Sequence, residues 1–174
     1  VTQDRDDSAT LAREARNFLA QFKTLVMATV DRSGTPEASY APFVRAQDDC
    51  FYVYVSGLSR HTGNLTTRGV VSVLLIEDES RVNQPFARRR ITFDCRAERI
   101  ARESEPWHAI MALFDEKFGK VIDLIRPLKD FELFRLRPQN GIYVKGFAQA
   151  YRIDDAALKT VEHIRDATGN TKPV

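Results

Sequence analysis

The stretch Ser56-Gly57-Leu58-Ser59-Arg60-His61-Thr62-Gly63-Asn64-Leu65 gathers hydroxyls, a guanidinium, an imidazole and a carboxamide between two apolar runs. A helix starting there would add its free N–H groups to those donors, which suits an anion or the edge of a cofactor. A capped, solvated crossover is the plainer alternative. In Arg88-Arg89-Arg90, alternation sends Arg88 and Arg90 to one strand face and Arg89 to the other. Two guanidiniums on one face can grip a carboxylate or phosphate, or pair with Glu77, Asp78 and Glu79. Ser39 and Tyr40 place a hydroxyl pair in mid-strand, and Asp130 is either a turn residue or a buried acceptor. His61, His108 and His163 are too far apart for a local metal motif. His108, off its apolar stripe, reads as solvated, whereas His163 near the terminus either decorates the surface or reaches a pocket to ligate a metal. Cys50 and Cys95 fall on predicted strands and read as packing residues. Dinucleotide, phosphate-loop, zinc-protease, nucleophile-elbow and CxxC motifs are all missing from the sequence.

The elements that must position these groups follow from period and punctuation. Residues 1–10 form a frayed lead, and residues 154–174 a C-terminal helix and tail around a single domain over 11–153. Leu11, Ala15, Phe18, Leu19 and Phe22 share one helical stripe. Thr24–Val30 is a β-branched run stopped by Asp31-Arg32-Ser33-Gly34-Thr35-Pro36. Glu37–Ala46 reads as a strand interrupted or edged at Pro42. Cys50–Val55, Val70–Ile76 and Arg89–Ile100 read as further strands, with a short helix inside Ser56–Gly69. Trp107, Ile110, Met111, Phe114 and Phe118 form a helical stripe that Ser104 can cap and Gly119 can stop. Val121–Ile125 adds a turn or two. Phe131–Arg137 and Ile142–Ile153 then pair as a hairpin about Asn140-Gly141, and a last helix runs from Asp154 or Asp155 through Leu158 and Val161. This many short strands, with helices at the ends, is most economically closed into a mainly β fold, a barrel with flanking α-helices.

Composition narrows the class. The chain has 174 residues, 26 Lys and Arg against 24 Asp and Glu, with 43% hydrophobic and 29% charged residues. That is ordinary globular composition, long enough for a real core. A net charge of +2 argues against a dedicated nucleic-acid binder, and no apolar run is long enough to span a membrane as a helix. The polar start VTQDRDDSAT has no apolar signal region, and two cysteines make no disulfide framework. A cytoplasmic protein is expected.

The blocks LVMATVDRSGTPEASYAPF, FYVYVSGLSRHTGNL, VSVLLIEDES, FARRRITFDC, DFELFRLRP and GIYVKGFAQAYRI, in order from about Phe18 to Ile153, resemble the pyridoxamine 5′-phosphate oxidase-like, FMN-binding split-barrel superfamily. Within it they are most similar to the haem-utilisation (HugZ/HutZ-like) branch. The resemblance implies a split β-barrel that forms a homodimer with its cofactor at the subunit interface. It implies haem binding with oxygen-dependent haem degradation, an oxidoreductase activity. FMN-dependent oxidoreduction is the alternative, and a non-enzymatic carrier or sensor the third. For flavin, the phosphate-gripping positions of the superfamily fall on Ser39, Val44 and His61, with Arg60 retained. A looser flavin site would use Ser39, Tyr40, Ser56, Arg60 and Asn64. For haem, Asp130 matches an aspartate that supports the iron-ligating imidazole, while Arg90 and His61 match pocket residues. Arg88 and Lys145 are expected on the same cofactor edge. The ligand histidine of the branch comes from the C-terminal tail. Its position falls on Thr168, and His163 is the tail histidine available.

Overall fold

The computed structural model describes residues 2–154, 158 and 161–164. Its elements are α1 (Thr2–Leu19), β1 (Thr24–Val30), β2 (Pro36–Arg45), β3 (Phe51–Ser56), α2 (Arg60–Arg68), β4 (Val70–Ile76), β5 (Arg90–Ile100), α3 (Glu105–Phe118), α4 (Lys120–Ile125), β6 (Phe131–Gly146), β7 (Gln149–Ile153) and β8 (Val161–His163). The strand order is β3-β2-β1-β4-β5-β6-β7-β8, and pairing of β3 with β6 closes six strands into an antiparallel barrel. Closure removes the open edges that a sheet would otherwise expose.

The elements divide into two compact groups. One comprises Lys23–Val73 and Cys95–Pro138. In it β1 buries Leu25, Met27 and Thr29 and turns Val26 and Ala28 outward, the period-two pattern of a half-buried strand. β3 is buried on both faces: Tyr52 and Tyr54 join the cluster built by Trp107, Ile110, Met111 and Phe114 of α3. The predicted helical stripe thus packs as expected, each large side chain contributing about 1.5–3 kcal/mol through burial. Ser104 Oγ accepts from the Trp107 N–H, and Gly119 ends the helix at φ 64°. β2 runs through Pro42 without interruption. Its pairing with β3 covers only Phe43 to Arg45, so Pro42 bonds on the β1 side alone, opposite Thr24. The missing N–H therefore faces no strand.

The other group comprises Val1–Phe22, Leu74–Asp94 and Gln139–Val174. Here α1 buries Ala12, Ala15, Phe18 and Leu19, and Phe18 lies edge-on to Phe22 at 4.9 Å and near Tyr143 at 6.1 Å. α1 begins at Thr2, so it takes in residues 2–10, expected to be a frayed lead. The acidic composition there suits a helix N-terminus, a signal that apolar spacing does not carry. The expected hairpin at Asn140-Gly141 does not form, because β6 runs straight through it and the chain reverses at Phe147 and Ala148. Ala148 takes φ 58°, whereas Gly141 is not left-handed. A Cβ on Gly141 would stand 2.6 Å from the Thr92 carbonyl oxygen and 2.7 Å from the Phe93 ring, so that glycine serves close approach rather than a turn. The expected terminal helix is corrected over Val161–His163, while residues 155–157, 159–160 and 165–174 lie outside the described residues. Val161–His163 is strand β8, paired with β7 so that His163 lies opposite Tyr151, and Leu158 is buried at φ 55°. Alternating Val161, Glu162 and His163 offer β7 a partner, and edge pairing prevails over a weak helical spacing.

Candidate functional site

Ser56 ends β3, and the chain turns at Ser56–Ser59 before α2, with Ser59 N–H donating to the Ser56 carbonyl at 3.0 Å. Thr62 Oγ1 donates to the same carbonyl at 2.6 Å. Ser56 Oγ accepts from the Leu58 N–H at 3.2 Å and donates to Asp130 Oδ2 at 2.7 Å. The Gly57 N–H donates to the Asp130 carbonyl at 2.7 Å, and a Cβ on Gly57 would lie 3.0 Å from that oxygen. Asp130 is therefore an exposed turn residue, not a buried acceptor. One carboxylate oxygen is held by Ser56, and no described residue donates to the other. Leu58, whose N–H reaches the same Ser56 hydroxyl, is almost fully in solvent, at 90% exposure.

A second polar group lies where α2 packs on β1. Asn64 Nδ2 donates to Thr29 Oγ1 at 3.0 Å and to Glu37 Oε2 at 2.9 Å. The Arg60 guanidinium reaches the same carboxylate only at 4.0 Å and is 69% exposed. Ser39 Oγ and His61 Nε2 are buried with no hydrogen-bond partner. Burial pushes His61 below the ordinary histidine range, against the opposing pull of Glu37, so the imidazole is neutral near pH 7. Alternation separates the expected hydroxyl pair: Ser39 turns inward while Tyr40 points out, 69% exposed, opposite Val26.

Arg88, Arg90, Lys145 and His163 belong to the other group of elements. Arg88 Nε donates to the Glu77 carbonyl at 2.6 Å, and its Nη1 lies 3.5 Å from Glu79 Oε2. Arg89 pairs with Glu77 at 3.8 Å and covers the Phe18 ring at 4.7 Å. Of the two arginines expected on one face, Arg88 is ion-paired, and Arg89 of the opposite face is paired as well. Arg90 donates to the Arg88 carbonyl at 3.0 Å and has no carboxylate partner among the described residues. Lys145 lies 2.6 Å from Glu14, whose hydrogen bond raises the lysine's pKa. For His163 the backbone places the residue on β8; Thr168 lies outside the described residues. His108 is exposed, 3.4 Å from Glu103. Both cysteines are buried and form no disulfide, and burial raises the Cys50 thiol.

Sequence reasoning missed Glu37, Gly57 and Thr29. Glu37 had a usable signal, since it sits two residues from Ser39 and hence on the same strand face. Gly57 and Thr29 acquire their roles only through long-range contacts. Among the described residues no group of three or more His, Cys, Asp or Glu side chains is placed to hold a metal ion, and no helix is long and apolar enough to cross a membrane.

Comparison with known proteins adds to this geometry. The family model described as pyridoxamine 5′-phosphate oxidase matches residues 11–145. The chain is 44% identical over 156 residues to the haem oxygenase HutZ of Vibrio cholerae, covering 90% of this chain and 88% of that protein. A crystal structure of HutZ from Vibrio cholerae, there called a haem storage protein, superposes with a TM-score of 0.69 at 45% identity, over 72% of this chain and 88% of the other. The crystal structure of Campylobacter jejuni ChuZ gives a TM-score of 0.83 at 31% identity, over 95% of this chain and 66% of the other.

Proposed function

The chain belongs to the pyridoxamine 5′-phosphate oxidase family, and from that premise we propose that it binds haem and opens the porphyrin ring with oxygen and a reductant. The observation that carries this reading is the Asp130 carboxylate. It is exposed, pinned through one oxygen to Ser56, and open at the other to an N–H donor. Such an acceptor fits an imidazole that ligates iron, because a carboxylate partner fixes the tautomer and raises the ligand's basicity. The similarity to a protein named haem oxygenase supports the choice of cofactor. When bound, haem supplies the iron at which oxygen is reduced.

The residues of the chain have separable tasks in this proposal. Asp130 accepts the N–H of the ligand imidazole at its open oxygen and so orients the ring. His163 is the proposed ligand. Arg90, without a carboxylate partner among the described residues, is available to a propionate, while neutral His61, the exposed Arg60, Ser56 and Asn64 are the further cofactor contacts proposed. Arg88 and Lys145 contribute positive potential from positions already paired with Glu79 and Glu14. The cofactor sits between two copies of the chain. The outward face of β1 and β2, with Val26, Ala28, Ala38 and Tyr40 in register, supports a homodimer. Two buried cysteines outside any disulfide agree with a reducing, cytoplasmic setting.

FMN is the weaker reading for a specific reason. Where a phosphate dianion needs fixed positive charge, the chain has the uncharged Ser39 and a His61 held neutral by burial. Haemin titration tests the proposal. The wild type is expected to give a sharp Soret band that Asp130→Asn shifts and His163→Ala collapses. Identical spectra in all three proteins would reject both assignments. With oxygen and ascorbate the Soret band should decay and iron be released; stable haem through that treatment would make the protein a carrier.

A further inference from the structure

Arg102 lies between β5 and α3, and its guanidinium is spent on main-chain carbonyls rather than on a substrate-facing surface. Nη1 donates to the Leu128 carbonyl at 3.1 Å and to the Phe131 carbonyl at 3.4 Å, and Nη2 donates to the Arg126 carbonyl. The guanidinium carbon stands 5.7 Å from the centroid of the buried Trp107 ring. Among the described residues, the carboxylate paired with it is that of its neighbour Glu103, at 3.9 Å.

Those three carbonyls bracket Asp130 in the chain. The Phe131 N–H donates to the Leu128 carbonyl at 3.3 Å, so Lys129 and Asp130 occupy the middle of one tight turn. On its other side Asp130 is held by the Gly57 N–H and the Ser56 hydroxyl. Burial raises the pKa of the nearby Tyr54 hydroxyl, against the opposing pull of Arg102 and Arg126 and with Asp130 adding to the rise. A planar fork can serve several carbonyls at fixed angles, which a lysine ammonium does less well.

We propose that Arg102 is the positioning residue of Asp130. It sets the Arg126–Phe131 turn so that the carboxylate keeps one oxygen on Ser56 and presents the other outward. A polar site needs such support to hold its geometry. The inference rests on the reading of Asp130 as partner of a haem-ligating imidazole, but its first test needs no haem.

In the full-length chain, hydrogen exchange at the Gly57 amide reports the bond to Asp130. Arg102→Ala is expected to speed that exchange about tenfold or more while Met111 in α3 stays protected. Arg102→Lys should give a smaller effect, and added guanidinium ion should restore protection in Arg102→Ala. Unchanged Gly57 exchange in both variants would overturn the proposal, and so would acceleration that guanidinium does not reverse. Should Arg102→Ala fail to fold, Arg102→Lys, which keeps the charge and most of the side chain, carries the exchange test. With haemin added, Arg102→Ala and Asp130→Asn should shift the spectrum alike, and the double variant no further. A shift with Asp130→Asn but none with Arg102→Ala overturns the positioning role and leaves the haem reading standing. Faster Gly57 exchange with a haem spectrum indifferent to Asp130→Asn supports the positioning role and removes the haem reading.

Discussion

Replacing Gly141 by alanine isolates the difference between a turn and a strand in the sequence Pro138-Gln139-Asn140-Gly141. The new methyl would meet the Thr92 carbonyl oxygen at 2.6 Å and the Phe93 ring carbons at 2.7 and 3.0 Å. Phe93 is fully buried, so its ring has little room to retreat. Overpacking of this kind costs about 1–3 kcal/mol, offset by about 0.4–1 kcal/mol from the smaller freedom of alanine in the unfolded chain. A 2.6 Å contact with a main-chain oxygen places the cost in the upper half of that range, so the net loss is about 1–2.6 kcal/mol, or about 2–10 °C in Tm for a chain of this size. Urea unfolding with tryptophan fluorescence, which reports the buried Trp107, measures it. A companion variant makes the test specific. Asn140 is exposed within β6, so Asn140→Val should be neutral or stabilising in a strand and costly in a hairpin turn. Gly141→Ala at wild-type stability, or a marked loss in Asn140→Val, would refute the reasoning.

Other outcomes follow from single contacts. The folded protein holds His61 below the ordinary 6.5. The unfolded chain therefore takes up a proton below that pH that the folded chain resists, and stability drops as pH falls through and below about 6.5. His61→Gln should flatten that part of the stability–pH curve, and an unaltered slope would disprove the assignment. Ser104→Ala removes the hydroxyl that accepts from the Trp107 N–H and should cost about 1 kcal/mol in urea unfolding. Ser56→Ala deletes the bond to Asp130 and should move the haemin spectrum in the same direction as Asp130→Asn, which difference spectra would reveal.

Period and punctuation made much of the barrel readable. β1 and β4 fall where β-branched runs lie between turn residues, and α3 was marked at both ends by Ser104 and Gly119. Two misreadings share one cause. Asn140-Gly141 carries a strong local turn signal, but the demand on Gly141 comes from Thr92 and Phe93, far away in sequence. At Val161–His163 the spacing predicts a helix, but β7 offers the segment a partner strand. The site was legible in part. Ser56, Asp130, Asn64 and His61 were singled out by type, and the structure joins Ser56 to Asp130 and Asn64 to Glu37. Gly57 and Arg102 stayed hidden because each acts through main-chain carbonyls, which every residue carries and no pattern reveals. Tyr40 was legible as a hydroxyl, yet strand alternation sets it on the face opposite Ser39.

Equilibrium dialysis of the purified wild-type protein against equal concentrations of haemin and FMN tests the central claim most directly. The account predicts one haemin retained per subunit with a sharp Soret band, and FMN left in the dialysate. Stoichiometric retention of FMN, with haemin bound only weakly and without a defined Soret band, would contradict it.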